Sequence, residues 1–240
     1  MSPGLSPGLS PSQSLLTRVS LVPWRMSSSI VGPSCVWTEA HLRSLATSFR
    51  SKVIWKMRLR LASPADAPQV AEIYEPIVRD TAISFELVPP SPEEMARRIE
   101  IALQNHVWIV ADDQGKIAGY AYAGKHRDRA AYAWSVDTTI YVRDGVRGKG
   151  AGRRLYQAVL QILSAQNYRM AFAGIALPNQ ASVALHESVG FKHLGTYPEV
   201  GFKFNQWHDV GWWSRPLNNQ PTAQEILPLS KLERLDEMLN

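Results

Sequence analysis

The chain has 240 residues, 45% of them hydrophobic, with one cysteine and a formal net charge of +5. This is enough apolar material for one good core and too little for two full domains. The charge is uneven: residues 1–56 carry six basic side chains against Glu39 alone, and the remainder carries twenty of each sign. A neutral main body gives no compositional case for a nucleic-acid partner. Cys35, the single cysteine, lies in the basic extension, so the main body holds no disulfide, thiolate nucleophile or cysteine zinc site. A reducing compartment, the cytoplasm, is expected. No window approaches the ~18–20 uninterrupted apolar residues of a membrane span, so the protein should be soluble, with no membrane partner.

Residues 1–56 open on MSPGLSPGLSPSQS and stay rich in Ser and poor in acids. Such a segment does not fold by itself. Disorder, a start codon assigned upstream of Met57 and a transit peptide all fit this composition, although no clean amphipathic helix supports the last.

From Met57 the pattern becomes regular. MRLRLA alternates as a strand, and Ser63-Pro64-Ala65-Asp66 then caps a helix carrying AEIYEPIV, which Pro76 should kink or end. Ser91-Pro92-Glu93-Glu94 supplies a second start signal, with Glu94 completing a capping box ahead of MARRIEIAL. VWIVADDQGKIAGYAYAG reads as a hairpin turning at Asp112–Gly115, and YAWSVDTTIYV as a third strand of that group. RRLYQAVLQILSAQ has helical spacing, RMAFAGIAL is a buried strand, and Asn179–Val189 is a helix closed by Gly190. Two more extended segments fill FKHLGTYPEVGFKFNQWHDVGWWSRPL. The final run AQEILPLSKLERLDEML, across residues 218–240, could dock on the body or a partner, but a plain surface helix or frayed tail is the favoured reading. The order β-α-α-β-β-β-α-β-α-β-β implies an α/β fold with a mixed sheet.

Between the third strand of the hairpin group and its helix lies VRDGVRGKGAGRRL, residues 142–155, a glycine-rich basic loop suited to phosphate. It is not a Walker loop, because Ala151 and Gly152 stand where lysine and a hydroxyl are required. It is not a dinucleotide fingerprint either, because the next strand, RMAFAGIAL, carries no acid for a ribose. What remains is Arg147-x-x-Gly150-x-Gly152 at a strand-to-helix junction, with Lys149 and Arg153 adding charge.

YEPIVRDTAISFE, IAGYAYAG, AYAWSVDTTIYV, the RGKGAG loop, GIALPNQASVALHESVGF and GFKFNQWHDVGWW occur in one order from Met57 to Pro216. Together they resemble the GNAT superfamily of N-acetyltransferases, and within it the phosphinothricin acetyltransferase-like branch, which also acts on methionine sulfone and sulfoximine. The resemblance implies a GNAT (acyl-CoA N-acyltransferase) fold at residues 57–217: a mostly antiparallel sheet flanked by helices, its central strand splayed by a bulge. It also implies acetyl-CoA as cosubstrate, a small-molecule amine as acceptor and a homodimer packed through the Trp207-His208-Asp209 and Trp212-Trp213 signatures. An acetyltransferase of a protein or peptide amine and a non-catalytic acyl-CoA-binding regulator are the competing readings. No metal is expected, since no ligand spacing occurs.

By the same resemblance, Ile140, Tyr141 and Val142 would bind the acetyl and pantetheine arm, with an N–H stabilising developing charge on the thioester oxygen. The pyrophosphate would fall on Gly148, Lys149, Gly150, Ala151, Gly152 and Arg153. Asn179 caps its helix and would also reach the pantetheine arm. Asp137, where relatives commonly carry Glu, would be the general base, acting through water because its side chain is shorter; a hydrogen-bonded strand Asp is the other reading. His186 would return a proton to the leaving thiolate, or is a helix-face histidine. Phe85, Ala130, Ala131 and Tyr132 would line the acceptor pocket. Arg127 and Arg129 would pair with an acceptor carboxylate, or belong to an exposed charged turn.

Overall fold

The computed structural model describes residues 57–240; the extension 1–56, with Cys35 and every reading of its origin, lies outside the described residues. Strand β1 is Arg58–Leu61, followed by helices α1 (Ala67–Asp80) and α2 (Pro92–Asn105). The hairpin strands are β2 (Trp108–Asp113) and β3 (Lys116–Lys125), and β4 is Ser135–Val142. Helix α3 (Ala151–Ala165), β5 (Met170–Ala176), α4 (Gln180–Ser188), β6 (Lys192–Lys203) and β7 (Gln206–Pro216) complete the expected order. The hairpin turn is tight because Gln114 and Gly115 both take positive φ, 56° and 90°.

The seven strands form one sheet in the order β1-β2-β3-β4-β5-β7-β6. Every pairing is antiparallel except β4 with β5. The period of two in the strands divides the core. Trp108, Val110 and Tyr120 pack with α1 and α2 on one face, while Ile109, Ala121 and Val136 pack with Leu155, Val159 and Ile162 of α3 on the other.

Four local expectations are corrected. Pro76 does not end α1, which runs to Asp80. An interior proline costs about 3 kcal/mol, but Ile73, Tyr74, Ile77 and Val78 on either side of it are buried, and each such burial is worth about 1.5–3 kcal/mol. The capping box at α2 is half made. Ser91 accepts from the Glu94 N–H at 3.2 Å, but the Glu94 carboxylate turns to Arg97 and Arg98. The C-terminal run is not a loose tail: a short helix α5 (Leu235–Leu239) docks, with Leu229 and Leu239 buried in the α3-side core. Finally, no bulge interrupts β4, whose register with β3 is unbroken from Val136 to Val142.

The central strand is nevertheless splayed, because its two neighbours part company. β4 pairs with β5 only at Ser135–Asp137, against Met170–Phe172. Beyond that point β4 stays with β3 to Val142, and β5 stays with β7 to Ala176. Thr138 stands at the fork. Its hydroxyl donates to the Phe172 carbonyl at 3.0 Å and therefore accepts from the Tyr156 hydroxyl at 2.6 Å, so α3 buttresses the point of divergence.

Candidate active site

The fork opens onto the glycine loop. Gly148 and Gly150 sit at φ +77° and +88°, conformations that side chains resist. Gly150 is the N-cap of α3 and offers no side chain to the helix. Among the described residues, the backbone N–H groups from Gly148 to Arg153 meet no protein acceptor. Gly148, Gly150, Gly152 and Arg153 line one end of a 430 Å³ cavity whose other walls include Ile77, Ile83 and Leu185. Such a cleft fits a ligand with an anionic end and an apolar or amide arm.

Ile140, Tyr141, Val142, Gly148, Gly150, Gly152, Arg153 and Asn179 all line this cavity, as expected. Lys149 and Ala151 do not. Lys149 Nζ turns back to donate to the Gly145 carbonyl at 2.8 Å, and Ala151 is buried beneath the helix start. Asn179 caps α4, accepting from the Ser182 N–H at 3.1 Å. Gly152 permits the close approach of α3 to α4, since a Cβ there would lie 3.3 Å from Leu185 Cδ2.

His186 lies beside the fork, lining a 90 Å³ pocket with Thr138, Ile140 and Asn179. It is only 4% exposed, and burial holds its pKa below the usual imidazole value. Its Nδ1 lies 2.7 Å from the Ser182 carbonyl, which can only accept. The neutral ring therefore carries its proton on Nδ1 and a lone pair on Nε2, so any proton it delivers from Nε2 must first arrive there.

Asp137 is the last β4 residue before the fork. Its Oδ1 lies 2.6 Å from His126 Nδ1, on the loop after β3. Burial raises the carboxyl pKa, against the opposing effect of the His126 hydrogen bond and charge and of the Arg127 charge. Tyr132, half-exposed on a 3-10 turn with Ala130 and Ala131, presents an edge to the His126 ring at 6.1 Å. Arg127 lies over Trp212 at 5.6 Å, whereas Arg129 is exposed on the same loop. Phe85 stands apart from this group, against Gly201 and His208.

Over residues 59–212 the chain matches the family model described as the acetyltransferase (GNAT) domain. The chain belongs to the GNAT acetyltransferase family. It is 39% identical over 167 residues to a phosphinothricin N-acetyltransferase of Streptomyces coelicolor, covering 68% of this chain and 97% of that protein. It is 35% identical over 169 residues to an L-methionine sulfoximine/L-methionine sulfone acetyltransferase of Pseudomonas aeruginosa, covering 68% and 95%. A GNAT phosphinothricin acetyltransferase from Sinorhizobium meliloti, solved in complex with acetyl-CoA, superposes with a TM-score of 0.67 at 34% identity, covering 73% and 97%. Acetyl-CoA is the cosubstrate of this family, and the protein is an N-acetyltransferase.

Sequence reasoning missed three features of this GNAT site. His126 was passed over between Lys125 and Arg127, although the β3–β4 register sets it next to Ser135, diagonal to Asp137. Ile83 walls both cavities at the fork. Lys203 is 5% exposed and donates to the carbonyls of Val78 and Ser84 at 2.6 and 2.8 Å, tying the α1–α2 loop to β6. No local pattern announces that contact, which spans more than a hundred residues of sequence.

Proposed function

We propose that this GNAT enzyme acetylates the α-amino group of a small amino-acid-like acceptor, of the phosphinothricin, methionine sulfone or methionine sulfoximine type, by direct attack in a ternary complex. The observation that carries this reading is the placement of Asp137 at the fork, one residue before the strand edge that opens onto the cleft. Similarity to relatives named for these acceptors supports the substrate class.

Acetyl-CoA, when bound, supplies an activated acetyl group as a thioester. The N–H groups of Gly148–Arg153 hold its pyrophosphate, and the unpaired edge of Thr138–Val142 orients its arm. Asp137 takes a proton, directly or through water, from the acceptor ammonium, which frees the lone pair for attack. Tyr132 and the neighbouring Ala130 and Ala131 face the acceptor, and Arg127 or Arg129 pairs with its carboxylate. A carboxylate with a raised pKa suits this work, because a stronger base competes better for an ammonium proton.

The assembly belongs to the same reading. Tyr197, Val200, Phe202 and Trp207 of the β6–β7 hairpin are each more than half exposed, and β6 is an edge strand. A second copy of the chain covers this patch. Light scattering of the purified protein should give twice the monomer mass.

Incubation with acetyl-CoA and a panel of free amino acids, phosphinothricin, methionine sulfone and methionine sulfoximine included, tests the activity by CoA release. Release with members of that group supports the proposal. Release only with a peptide or protein amine, or with no acceptor at all, overturns it.

A further inference from the structure

The base proposed above does not stand alone. His126 is held in place from several sides. Its ring stacks on Phe172 at 4.4 Å with an interplanar angle of 17°, and Trp212 and Tyr132 present edges to it, each at 6.1 Å. The backbone N–H of His126 donates to the Ser135 carbonyl at 3.4 Å, which fixes the loop to β4. Only 12% of the side chain is exposed. A ring so enclosed has little freedom left, and its Nδ1 points at Asp137 Oδ1.

The ring also walls a 190 Å³ cavity together with Arg127, Leu194, Tyr197 and Trp212. Nε2 has no hydrogen-bond partner among the described residues. His126 therefore joins the carboxylate at the fork to a pocket beside it.

We propose that His126 is the positioning residue for Asp137, and that the two act as one proton-accepting unit rather than as a carboxylate beside a passive ring. The proposal rests on the reading of Asp137 as the base. In the resting unit, neutral His126 donates Nδ1–H to Oδ1 and fixes the direction of the carboxylate. The acceptor ammonium gives up one proton, the unit takes it, and the net charge of the unit passes from −1 to zero. The nitrogen keeps the electron pair it uses in attack. The unit then returns the proton to solvent.

The other ionisable groups facing the unit are Arg127 on the same loop, Tyr122 on β3, Tyr132 on the 3-10 turn and Tyr156 on α3. Burial pushes the Tyr122 and Tyr156 phenols upward, so both stay neutral where the unit works. A shift in the acidic limb of the rate profile therefore reports on the unit itself.

The test uses the full-length enzyme with acetyl-CoA and methionine sulfone, reading kcat/KM across the acidic and neutral range. His126→Phe keeps a ring against Phe172 and removes the N–H. It should lower the plateau about tenfold to a hundredfold and move the acidic limb to higher pH, because the carboxylate loses the donor that opposes its desolvation. His126→Asn carries an N–H near the position of Nδ1 and should recover both the limb and much of the plateau. A plateau and limb unchanged in His126→Phe overturn the proposal. So does a lowered plateau with an unmoved limb, which is the mark of a merely structural residue. Should His126→Phe fail to fold, His126→Asn decides: a limb at the wild-type position supports the unit, and a limb displaced upward contradicts it. Asp137→Asn separates the two readings. If it keeps wild-type turnover, the base assignment itself fails; if it is impaired while His126→Phe is not, only the unit fails.

Discussion

Gly201 and Phe85 occupy overlapping space that only a glycine allows: a Cβ at 201 would lie 2.6 Å from Phe85 Cδ2 and closer still to Cε2 and Cζ. The phenyl ring thereby rests against the β6 backbone at Gly201, and the α1–α2 loop that carries it also carries Ile83 to the fork. Gly201→Ala must displace Phe85, and with it the loop. Steady-state kinetics of that variant should show a raised KM for acetyl-CoA, whose proposed cleft Ile83 walls, with a smaller change in kcat.

Lys203 fastens the same loop from below. Its ammonium donates to two carbonyls, and desolvation pulls its pKa downward against the opposing charge of Glu86. Lys203→Met removes both donors and leaves the carbonyls of Val78 and Ser84 without them. Thermal or denaturant unfolding should register a loss of about 1–3 kcal/mol.

Gly150 tests the donor side. At φ +88° an alanine costs about 1–2 kcal/mol of backbone strain, and relief of that strain would turn the N–H groups of the α3 start away from the cleft. Calorimetric titration with CoA should show weaker binding to Gly150→Ala, while the acceptor KM at saturating acetyl-CoA stays near wild type.

The raised pKa of Asp137 also predicts a stability effect. The folded protein holds this proton to a higher pH than the unfolded chain does. Stability from this group is therefore fully present below the ordinary aspartate value of 3.8 and is lost as pH rises through the folded value. Asp137→Asn, which cannot ionise, should melt above wild type at neutral pH, and the gain should shrink as the medium is made acidic. A carboxylate retained where it weakens the fold fits a functional role.

Much of the fold was legible because it rests on short-range signals. The Asp112–Gly115 turn, the Ser63 and Ser91 starts and the alternation in β2 and β3 each lie within a few residues. One wall of the cleft was legible for the same reason, being built from one contiguous loop and the strand before it, whereas Ile77 and Ile83 reach it from distant sequence. Pro76 misled because local preference lost to burial on both of its sides. The splay was expected from a bulge, but it arises from where β5 pairs with β7, a long-range choice invisible in β4 itself. Lys149 was placed at the pyrophosphate by resemblance and by its charge, and the contact of its ammonium with the Gly145 carbonyl of the same loop was not foreseen. His126 and Lys203 escaped notice because their partners are set by strand register and by a contact between distant segments.

The most direct measurement is the single-turnover rate of Asp137→Asn with acetyl-CoA and an acceptor from the responsive group, alongside its affinity for acetyl-CoA. A base removed from a proton transfer should lower the rate about 10²–10⁴-fold, while binding of acetyl-CoA stays at the wild-type value. A variant that binds acetyl-CoA and turns over at the wild-type rate would contradict the account.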